Sequence, residues 1–542
     1  MKAINKYLIG AIVILWTIAC FVFFQWFYLN HLFYRLQLQL FLYSADYLNS
    51  YFQQPAWLAS LVGDFLTQFF YFNYAGALTI TLSLLLLGVI FYSSLGRFFT
   101  LFNAYSTRNV TMWVWLKLLI TLGFITWEAM RSCGLNYELS STLSLIGGLL
   151  LFRLYAACLC KKWWLLILGL LLLPFAYWLF GYGIWLFLLF AVVFEFFSHR
   201  YWVAILLLLV ALPIPALLRP HYHFTFAQAY RYPAVTFFDS PDLNQEKLLE
   251  MDAESSFGHW NRVLQLTEKV DFHSSIVTYF YNLSHGMCGT LPDQLLRTYQ
   301  PGPLGLLVQL SPQTPTFAVW CSNEAWFQLG DMTMAEHSAL LAMIFSPNHR
   351  SARMVKRLAE INMVNGDTEA TMKYLRLLQK TWLYKEWAEQ CIPGKESPQV
   401  KSWLEKKRTL IPVLDTLRAT NDQTLSLRAL LNSHRDNKLA LDYLLCYDLL
   451  SKDIKAFMDD YDKYRSKDDA PNRLYSEGLL IGLMQRKATI EEVKHYAIFP
   501  DAYNDFMEYT HRNEAGANGR TLQPQYGKTY WFYYQFATFS PR

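Results

Sequence analysis

Residues 163–197 read WWLLILGLLLLPFAYWLFGYGIWLFLLFAVVFEFF, and this stretch decides the class of protein. Glu195 is its only charged residue, and the Gly181-Tyr182-Gly183 turn divides it in two. A helix needs about 20 apolar residues to cross the hydrocarbon core of a bilayer. We therefore predict two transmembrane helices that form a tight hairpin.

Similar apolar stretches occur throughout the first 219 residues. In lipid, the backbone must satisfy its own hydrogen bonds, and an α-helix does so within one segment. The predicted spans are 8–28, 75–92, 112–128, 139–160, 163–180, 182–197 and 202–218. The sequence thus predicts an all-α protein whose residues 1–219 form a seven-helix transmembrane domain.

The charged residues are divided unevenly along the 542-residue chain. Residues 1–219 hold 12 Lys and Arg but only 5 Asp and Glu, whereas the remainder holds 35 and 37. This division excludes a single soluble globule and a disordered chain. The second part is close to neutral, so nothing in it indicates a nucleic-acid partner.

Basic residues favour the cytoplasmic loops of membrane proteins. With the N-terminus in the cytoplasm, the outer loops contain only Arg35 and Arg131. The predicted inner segments then contain Lys2, Lys6, Arg97, Arg108, Lys161, Lys162 and Arg200. An odd number of spans places the C-terminal part outside, which is the periplasm if the protein lies in a bacterial inner membrane.

The first outer loop, residues 30–74, is long and apolar rather than polar. Its many Leu, Tyr and Phe residues predict two amphipathic helices that lie in the outer interface of the bilayer. Asp46 and Asp64 are the only acids in this loop. At the level of layout, it resembles the GT-C class of membrane glycosyltransferases, which use lipid-phosphate sugar donors.

That resemblance implies a catalytic role for Asp46 or Asp64, as a base or as a ligand of a divalent metal. The other interpretation is that both acids cap helices or face the interface, because the loop has no paired acids and no basic cluster suited to a diphosphate. Outside this alternative, the sequence predicts no cofactor and no metal site.

Two charges within the predicted spans are further candidates, because an ionisable residue in lipid is costly. Glu128 lies near a span end, where the side chain can reach the interface. Arg153 lies deeper, so we expect it to pair with an acid on another helix or with a backbone carbonyl. Substrate binding is the alternative for Arg153.

Beyond a linker at residues 220–243, residues 244–542 have a helical, amphipathic pattern that predicts an extracytoplasmic α-helical repeat domain. Four glycines that each precede a helical stretch indicate a repeat: Gly258, Gly289, Gly330 and Gly366. They are spaced 31, 41 and 36 residues apart. A tetratricopeptide unit has about 34 residues and a turn between its two helices. Glycine supplies the positive φ that such a turn needs. A generic helical bundle is the alternative.

Stacked helix pairs commonly hold peptides or partner proteins. The sequence therefore favours a membrane protein that presents a protein-binding scaffold for cell-envelope assembly. The alternative is the lipid-linked sugar transferase described above, and whether the protein is an enzyme stays open.

Two stretches resemble a known family. One is Val62–Tyr71, and the other runs from Lys356 to Ala388 and includes Asn365-Gly366-Asp367. With the spans, they are similar to an uncharacterised family of bacterial polytopic membrane proteins that carry a domain of unknown function. The resemblance covers most of the chain. It implies a cell-envelope location and a repeat-like C-terminal region, and it brings no catalytic residues.

Overall fold

The computed structural model describes residues 2–103, 110–158, 162–413, 422–466 and 469–538. The chain is all-α: 75% of it is helical, and the described residues form no strand. It divides into two compact units. The membrane unit comprises residues 1–246 and 378–385, and the helical unit comprises residues 247–377 and 386–542.

The membrane unit contains twelve helices within its described residues. Helix α1 continues into a π-helical turn at Phe23–Phe27, and α4 continues into a 3-10 turn at Gln68–Tyr71. The helices are α1 (Lys2–Val22), α2 (Leu29–Leu38), α3 (Ala45–Tyr51), α4 (Trp57–Thr67), α5 (Ala75–Asn103), α6 (Val110–Arg131), α7 (Leu139–Ala157), α8 (Lys162–Phe180), α9 (Gly183–Phe197), α10 (Tyr201–Ala211), α11 (Ile214–Tyr222) and α12 (Phe226–Arg231).

Six segments of the described chain are long and apolar enough to cross a membrane. They are Tyr7–Phe27, Ala75–Phe98, Met112–Arg131, Leu139–Ala157, Trp163–Phe180 and Tyr201–Tyr222, the last of which combines α10 and α11. The prediction of seven spans is therefore not confirmed. The remaining segment forms α9, which has 15 residues and a length of about 22 Å, short of the roughly 30 Å hydrocarbon core.

Helix α9 nevertheless lies alongside α7 over most of its length. At one end, the Tyr182 hydroxyl donates a hydrogen bond to the carbonyl of Ser141 (2.9 Å). At the other, the Tyr155 hydroxyl donates to Glu195 (2.7 Å). From the first contact to the second, the residue number increases along α7 and also along α9. The two helices therefore run parallel.

Small residues allow α7 and α9 to approach closely. A Cβ atom added at Gly148 would lie 2.2 Å from the carbonyl oxygen of Gly183, so neither position has room for a side chain there. Close backbone approach at small residues is the usual means of helix association in membranes. Helix α7 also packs against α4 and α5, so it lies at the centre of the membrane unit.

The helical unit begins within α13, and its helices are short. Three 3-10 turns, Leu295–Arg297, Gly302–Gly305 and Pro347–His349, lie between them. The helices are α13 (Leu243–Ser256), α14 (Trp260–Thr267), α15 (Ser275–Met287), α16 (Leu291–Gln294), α17 (Thr316–Leu329), α18 (Met332–Phe345), α19 (Ala352–Asn365), α20 (Thr368–Leu378), α21 (Lys385–Gln390), α22 (Pro398–Arg408), α23 (Gln423–Ser433), α24 (Lys438–Leu450), α25 (Ile454–Tyr464), α26 (Arg473–Arg486), α27 (Ile490–His495), α28 (Pro500–Glu514), α29 (Gly519–Tyr526) and α30 (Tyr530–Phe536).

Two successive hairpins, α17–α18 and α19–α20, have the same turn. Each first helix ends on a left-handed glycine, and the following aspartate begins the next helix. Asp331 accepts a hydrogen bond from the backbone nitrogen of Met334 (3.0 Å), and Asp367 accepts one from that of Ala370 (2.9 Å). The predicted positive φ is confirmed at Gly258 (+74°), Gly289 (+71°), Gly330 (+100°) and Gly366 (+79°).

The helical unit also has contacts that a simple repeat array lacks. In such an array, each repeat contacts only its neighbours. Here α15 packs on α24, which is distant in sequence: a Cβ at Gly286 would lie 2.8 Å from Leu439 and 3.0 Å from Tyr443. Neighbouring helices such as α17 and α18 are packed together, but contacts between helices distant in sequence give the unit a shared core. The tetratricopeptide assignment is not established by this arrangement.

Helix α17 lies in that core and carries two almost fully buried tryptophans. One of them, Trp320, donates a hydrogen bond to Asp252 (3.2 Å). The same carboxylate accepts two hydrogen bonds from the buried Arg353, at 2.5 and 3.0 Å. A second buried ion pair joins Arg357 to Glu324 on α17 (2.7 Å). These pairs fix α13, α17 and α19 to one another.

Candidate functional site

Helix α4, from the long loop at residues 30–74, lies across the beginning of α7. A Cβ added at Gly63 would lie 2.7 Å from the backbone nitrogen of Ser140, so glycine is what allows this approach. The next residue along α4 is Asp64. Packing of α4 therefore places this predicted site residue near the N-terminal end of a membrane span, where the helix dipole favours negative charge.

Asp64 is half-buried, and the hydroxyl of a buried tyrosine holds its carboxylate. The Tyr51 hydroxyl donates to Asp64 Oδ2 (2.5 Å) and is itself hydrogen-bonded to the Tyr47 hydroxyl (2.8 Å). Burial, and next the charge of Asp64, raise the pKa of Tyr51 far above its ordinary value. Tyr51 thus remains a protonated donor to Asp64 at all physiological pH values.

A second carboxylate, Glu138, lies beside this pair and directly precedes α7. Ser140 Oγ donates a hydrogen bond to Glu138 Oε2 (3.1 Å). Burial raises the pKa of Glu138 to about 7, and the negative charge of Asp64 contributes to the rise, while Ser140 and Arg35 act in the opposite direction. Glu138 therefore exchanges a proton close to neutral pH. This proximity is not visible in the sequence, because the two acids are 74 positions apart.

Asp46, the other predicted acid of the loop, has a different environment. It is exposed and lies in the first turn of α3. A carboxylate in this position interacts favourably with the positive end of the helix dipole. The N-cap residue of α3 is Ser44 rather than Asp46, so this interaction with the dipole is the role that its placement supports.

Glu128 does not reach the interface as predicted: it is fully buried and has three donors. Arg131 Nη2 donates to Glu128 Oε1 at 2.8 Å, and the hydroxyls of Thr142 (2.6 Å) and Tyr137 (3.1 Å) donate to the same oxygen. Arg131 also donates to the Tyr182 hydroxyl (2.7 Å). The additional hydrogen bonds to Oε1 offset only part of the desolvation cost of this buried ion pair, because Glu128 Oε2 and Arg131 Nη1 have no partner among the described residues. This network joins α6, α7 and the turn before α9.

Arg153 has a hydroxyl partner rather than the expected acid or backbone carbonyl. It donates a hydrogen bond through Nη1 to Ser93 Oγ on α5. Arg153 is partly buried and, among the described residues, makes no ion pair. Its observed role is to connect α7 to α5.

Arg35 is a buried charge that the sequence assigned only to an outer loop. Its Nη2 donates to the carbonyls of Gly134 (2.7 Å) and Ser132, just past the end of α6. A cation is favourable at a helix C-terminus. Burial lowers the pKa of Arg35 to about 10, which still leaves it charged at neutral pH. In the sequence, the signal that could have identified this buried charge was the i, i+4 spacing of His31 and Arg35, which places both residues on one face of α2.

The opposite end of α2 is capped from far along the chain. Glu246 accepts hydrogen bonds from the backbone nitrogens of Asn30 (2.6 Å) and His31 (3.1 Å). These are amide groups at the helix start that have no partner within the helix. Together, Arg35 and Glu246 fix α2 against α6 and against the start of α13.

Asp64 and Glu138 lie close enough to interact electrostatically. Glu138 provides a carboxyl group that titrates near neutrality, and Asp64 provides a second acid that is positioned by Tyr51. The described part of the chain contains no group of three or more His, Cys, Asp and Glu side chains placed to hold a metal ion. The chemistry that the residues themselves support is general acid–base chemistry.

Comparisons with known proteins assign this chain to a family. No curated protein and no solved structure matches it. One family model matches residues 4–537, which include both units. The chain therefore belongs to a family of unknown function, DUF6057.

Proposed function

We propose that this protein is a multi-pass membrane protein that presents its helical unit outside the cytoplasm as a protein-binding scaffold in cell-envelope assembly. The observation that carries the proposal is the repeated hairpin turn at Gly330 and Gly366, 36 residues apart. Paired helices joined by equivalent turns are the building unit of tetratricopeptide-like domains, whose usual work is to bind partners.

The second helix of each hairpin, α18 or α20, faces outward, and these helices form the surface that we assign to the partner. Helix α17 is buried by its neighbours, so its faces are not accessible, whereas α18 and α20 each have an exposed face. On α18, Ile344 and Phe345 are 51% and 56% exposed. Adjacent apolar side chains of this size on a polar surface are favourable anchors for a protein interface.

Site-specific photocrosslinking of the full chain in its own membrane tests the scaffold. A photoreactive residue at His337 or Ile344 of α18 should give an adduct of one defined mass. The control position is Glu508, an exposed residue of α28. If neither α18 position forms an adduct in cells that contain normal amounts of the protein, or if the Glu508 position gives the same adduct, the proposed surface is wrong.

Orientation depends on whether α9 crosses the bilayer, and its contacts with α7 favour crossing. Because α9 runs parallel to α7 from the level of Ser141 to that of Tyr155, it covers most of the depth of a span. Seven crossings with the N-terminus in the cytoplasm place the helical unit in the periplasm of a bacterial inner-membrane protein. A C-terminal alkaline phosphatase fusion should then be active, and a C-terminal fluorescent protein that folds only in the cytoplasm should be dark. The reverse result would contradict this topology.

A second function is favoured by the Asp64–Glu138 pair: transfer of a sugar from a lipid-phosphate donor to a hydroxyl acceptor. One carboxylate accepts the proton of the acceptor hydroxyl while the new bond to the sugar forms and the lipid phosphate leaves. A base of pKa about 7 suits this task at neutral pH. The position of both acids at the start of a membrane span suits a donor that lies in the bilayer.

The transferase is tested with the full chain in liposomes that contain a polyprenyl-phosphate-linked radioactive sugar and an envelope extract as acceptor, with Mg²⁺ and Mn²⁺ supplied. We expect D64N and E138Q to lower transfer about 100-fold or more, as loss of a general base does. D46N is the matched control and should retain activity. No transfer by the unmodified protein, or equal transfer by D64N, would exclude this function.

A further inference from the structure

A group of exposed aromatic side chains lies at one end of the first two spans. Trp26 and Phe27 end the span Tyr7–Phe27, and Tyr71, Phe72 and Tyr74 directly precede the span Ala75–Phe98. Tryptophan and tyrosine are enriched where membrane spans meet the headgroup region, because their rings are amphipathic. These residues therefore mark the level of the membrane interface on the membrane unit.

The segment Lys380–Lys385 belongs to the membrane unit, although it lies in sequence between α20 and α21. Its backbone is held at Lys380, whose carbonyl accepts a hydrogen bond from the Tyr43 nitrogen (2.7 Å). The ring of Trp382 lies 5.3 Å from that of Phe72 and 5.7 Å from that of Phe69.

The next residue of the segment is partly buried against the ends of the spans. Leu383 packs on a buried cluster that includes Phe24 of the first span and Ala77 of the second. Leu383 and Trp382 thus place the segment at the same level as the aromatic residues that flank both spans. This placement follows from packing within the membrane unit and is independent of which side of the membrane it faces.

The segment presents the side chains that a headgroup region binds. Trp382 is 47% exposed, and Lys380 and Lys385 are exposed on either side of it. An indole prefers the interface, and lysine ammonium groups are attracted to anionic lipid phosphates. We propose that Lys380–Lys385 is a lipid-binding segment, in which Trp382 enters the interfacial layer while Lys380 and Lys385 contact anionic headgroups.

An environment-sensitive fluorescent amino acid at position 382 of the full chain tests the insertion. The protein is placed in nanodiscs of neutral phosphatidylcholine or of phosphatidylcholine with 25% phosphatidylglycerol, with and without a nitroxide-bearing headgroup. The matched control carries the same amino acid at Ile490, an exposed position of the helical unit. We expect headgroup quenching at least two-fold stronger at 382 than at 490, and weaker quenching by aqueous iodide. Equal quenching at the two positions would overturn the proposal.

Charge reversal tests the lysines while the native tryptophan stays in place. K380E/K385E should lower binding of a phosphatidylglycerol analogue with a fluorescent headgroup at least two-fold, in full-length protein held in phosphatidylcholine nanodiscs. K455E/K494E makes the same change of net charge at exposed positions of the helical unit and should leave this binding unchanged. If both double variants bind the analogue equally, the lysines do not contact headgroups and that part of the proposal is wrong.

Discussion

Gly330 and Gly366 provide a matched pair for testing the hairpin architecture of the helical unit. They end α17 and α19 in equivalent turns, with φ of +100° and +79°. Their surroundings differ. A Cβ at position 330 would lie 2.6 Å from both the Cβ and the carbonyl oxygen of Leu410, whereas at position 366 nothing lies within 4 Å.

This difference gives two distinct magnitudes for the same substitution. A left-handed backbone costs an L-residue other than glycine about 1–2 kcal/mol, and G366A should cost only this. At position 330, the added methyl group also meets a backbone atom that cannot rotate away. Overpacking adds about 1–3 kcal/mol, so we expect G330A to lower the free energy of unfolding by about 2–5 kcal/mol.

Asparagine separates the two contributions. It tolerates the left-handed region better than alanine does, so G366N should cost less than G366A. G330N should remain as costly as G330A, because its Cβ meets Leu410 in the same way. If G330N were clearly more stable than G330A, the contact with Leu410 would be absent.

The assay is hydrogen exchange of the full chain in detergent, measured by mass spectrometry on peptides from α17 to α20. Exchange through local opening reports the free energy of that opening. Loss of protection should be larger for G330A than for G366A. Equal losses, or a milder effect of G330A, would refute the packing of Leu410 against this turn.

Three further outcomes are expected from thermal or denaturant unfolding of the full chain. D252N leaves the buried Arg353 without its carboxylate and should cost about 3–5 kcal/mol, whereas replacing both partners by apolar residues should recover much of the loss. Burial raises the pKa of Asp442 to about 6, above its unfolded value, so its contribution makes the protein less stable as pH rises from about 4 to 6, by up to about 3 kcal/mol; D442N should remove that slope. G63A should cost the membrane unit about 1–3 kcal/mol, whereas G123A, where a Cβ would meet nothing within 4 Å, should be neutral or slightly stabilising.

Each of these outcomes has a result that contradicts it. If D252N lowered the free energy of unfolding by less than about 1 kcal/mol, the guanidinium of Arg353 would have to be solvated. Parallel pH curves for D442N and the unmodified protein would show that this carboxyl does not titrate as its burial requires. Equal effects of G63A and G123A would mean that α4 does not approach α7 as closely as the structure has it.

The sequence predicts those features that depend on local patterns. Apolar runs of about 20 residues indicate spans, because a lipid-exposed backbone has few alternatives to helix. The left-handed glycines are predicted for a similar reason: Gly330 and Gly366 follow a helical stretch and precede an aspartate that can cap the next helix.

Features that depend on distant packing are not encoded in such patterns. The sequence does not show that Lys380–Lys385 packs with membrane spans, or that α15 contacts α24, because both require contacts across more than a hundred residues. The same holds for the candidate site. Asp64 could be selected as an acid in an apolar loop, but its neighbour Glu138 is recognised only when α4 lies on α7.

The stability that the protein loses by burying Glu138 near Asp64 helps to distinguish a structural role from a catalytic one. A carboxyl group whose pKa is raised by burial lowers the free energy of unfolding as pH rises from its pKa in the unfolded state to its pKa in the folded state. For Glu138, this interval runs from 4.5 to about 7, a penalty of up to about 3 kcal/mol at pH 8. E138Q removes this penalty whatever the role of Glu138, because Gln carries no charge and its Oε1 can still accept the hydrogen bond from Ser140. E138Q should therefore stabilise the membrane unit above pH 7. If the pair serves a reaction, E138Q should also lower transfer about 100-fold or more, whereas transfer should be unchanged if Glu138 only supports the fold. Costly groups that persist at functional sites give variants that are more stable but less active, so activity measured together with stability separates the catalytic role from the structural one.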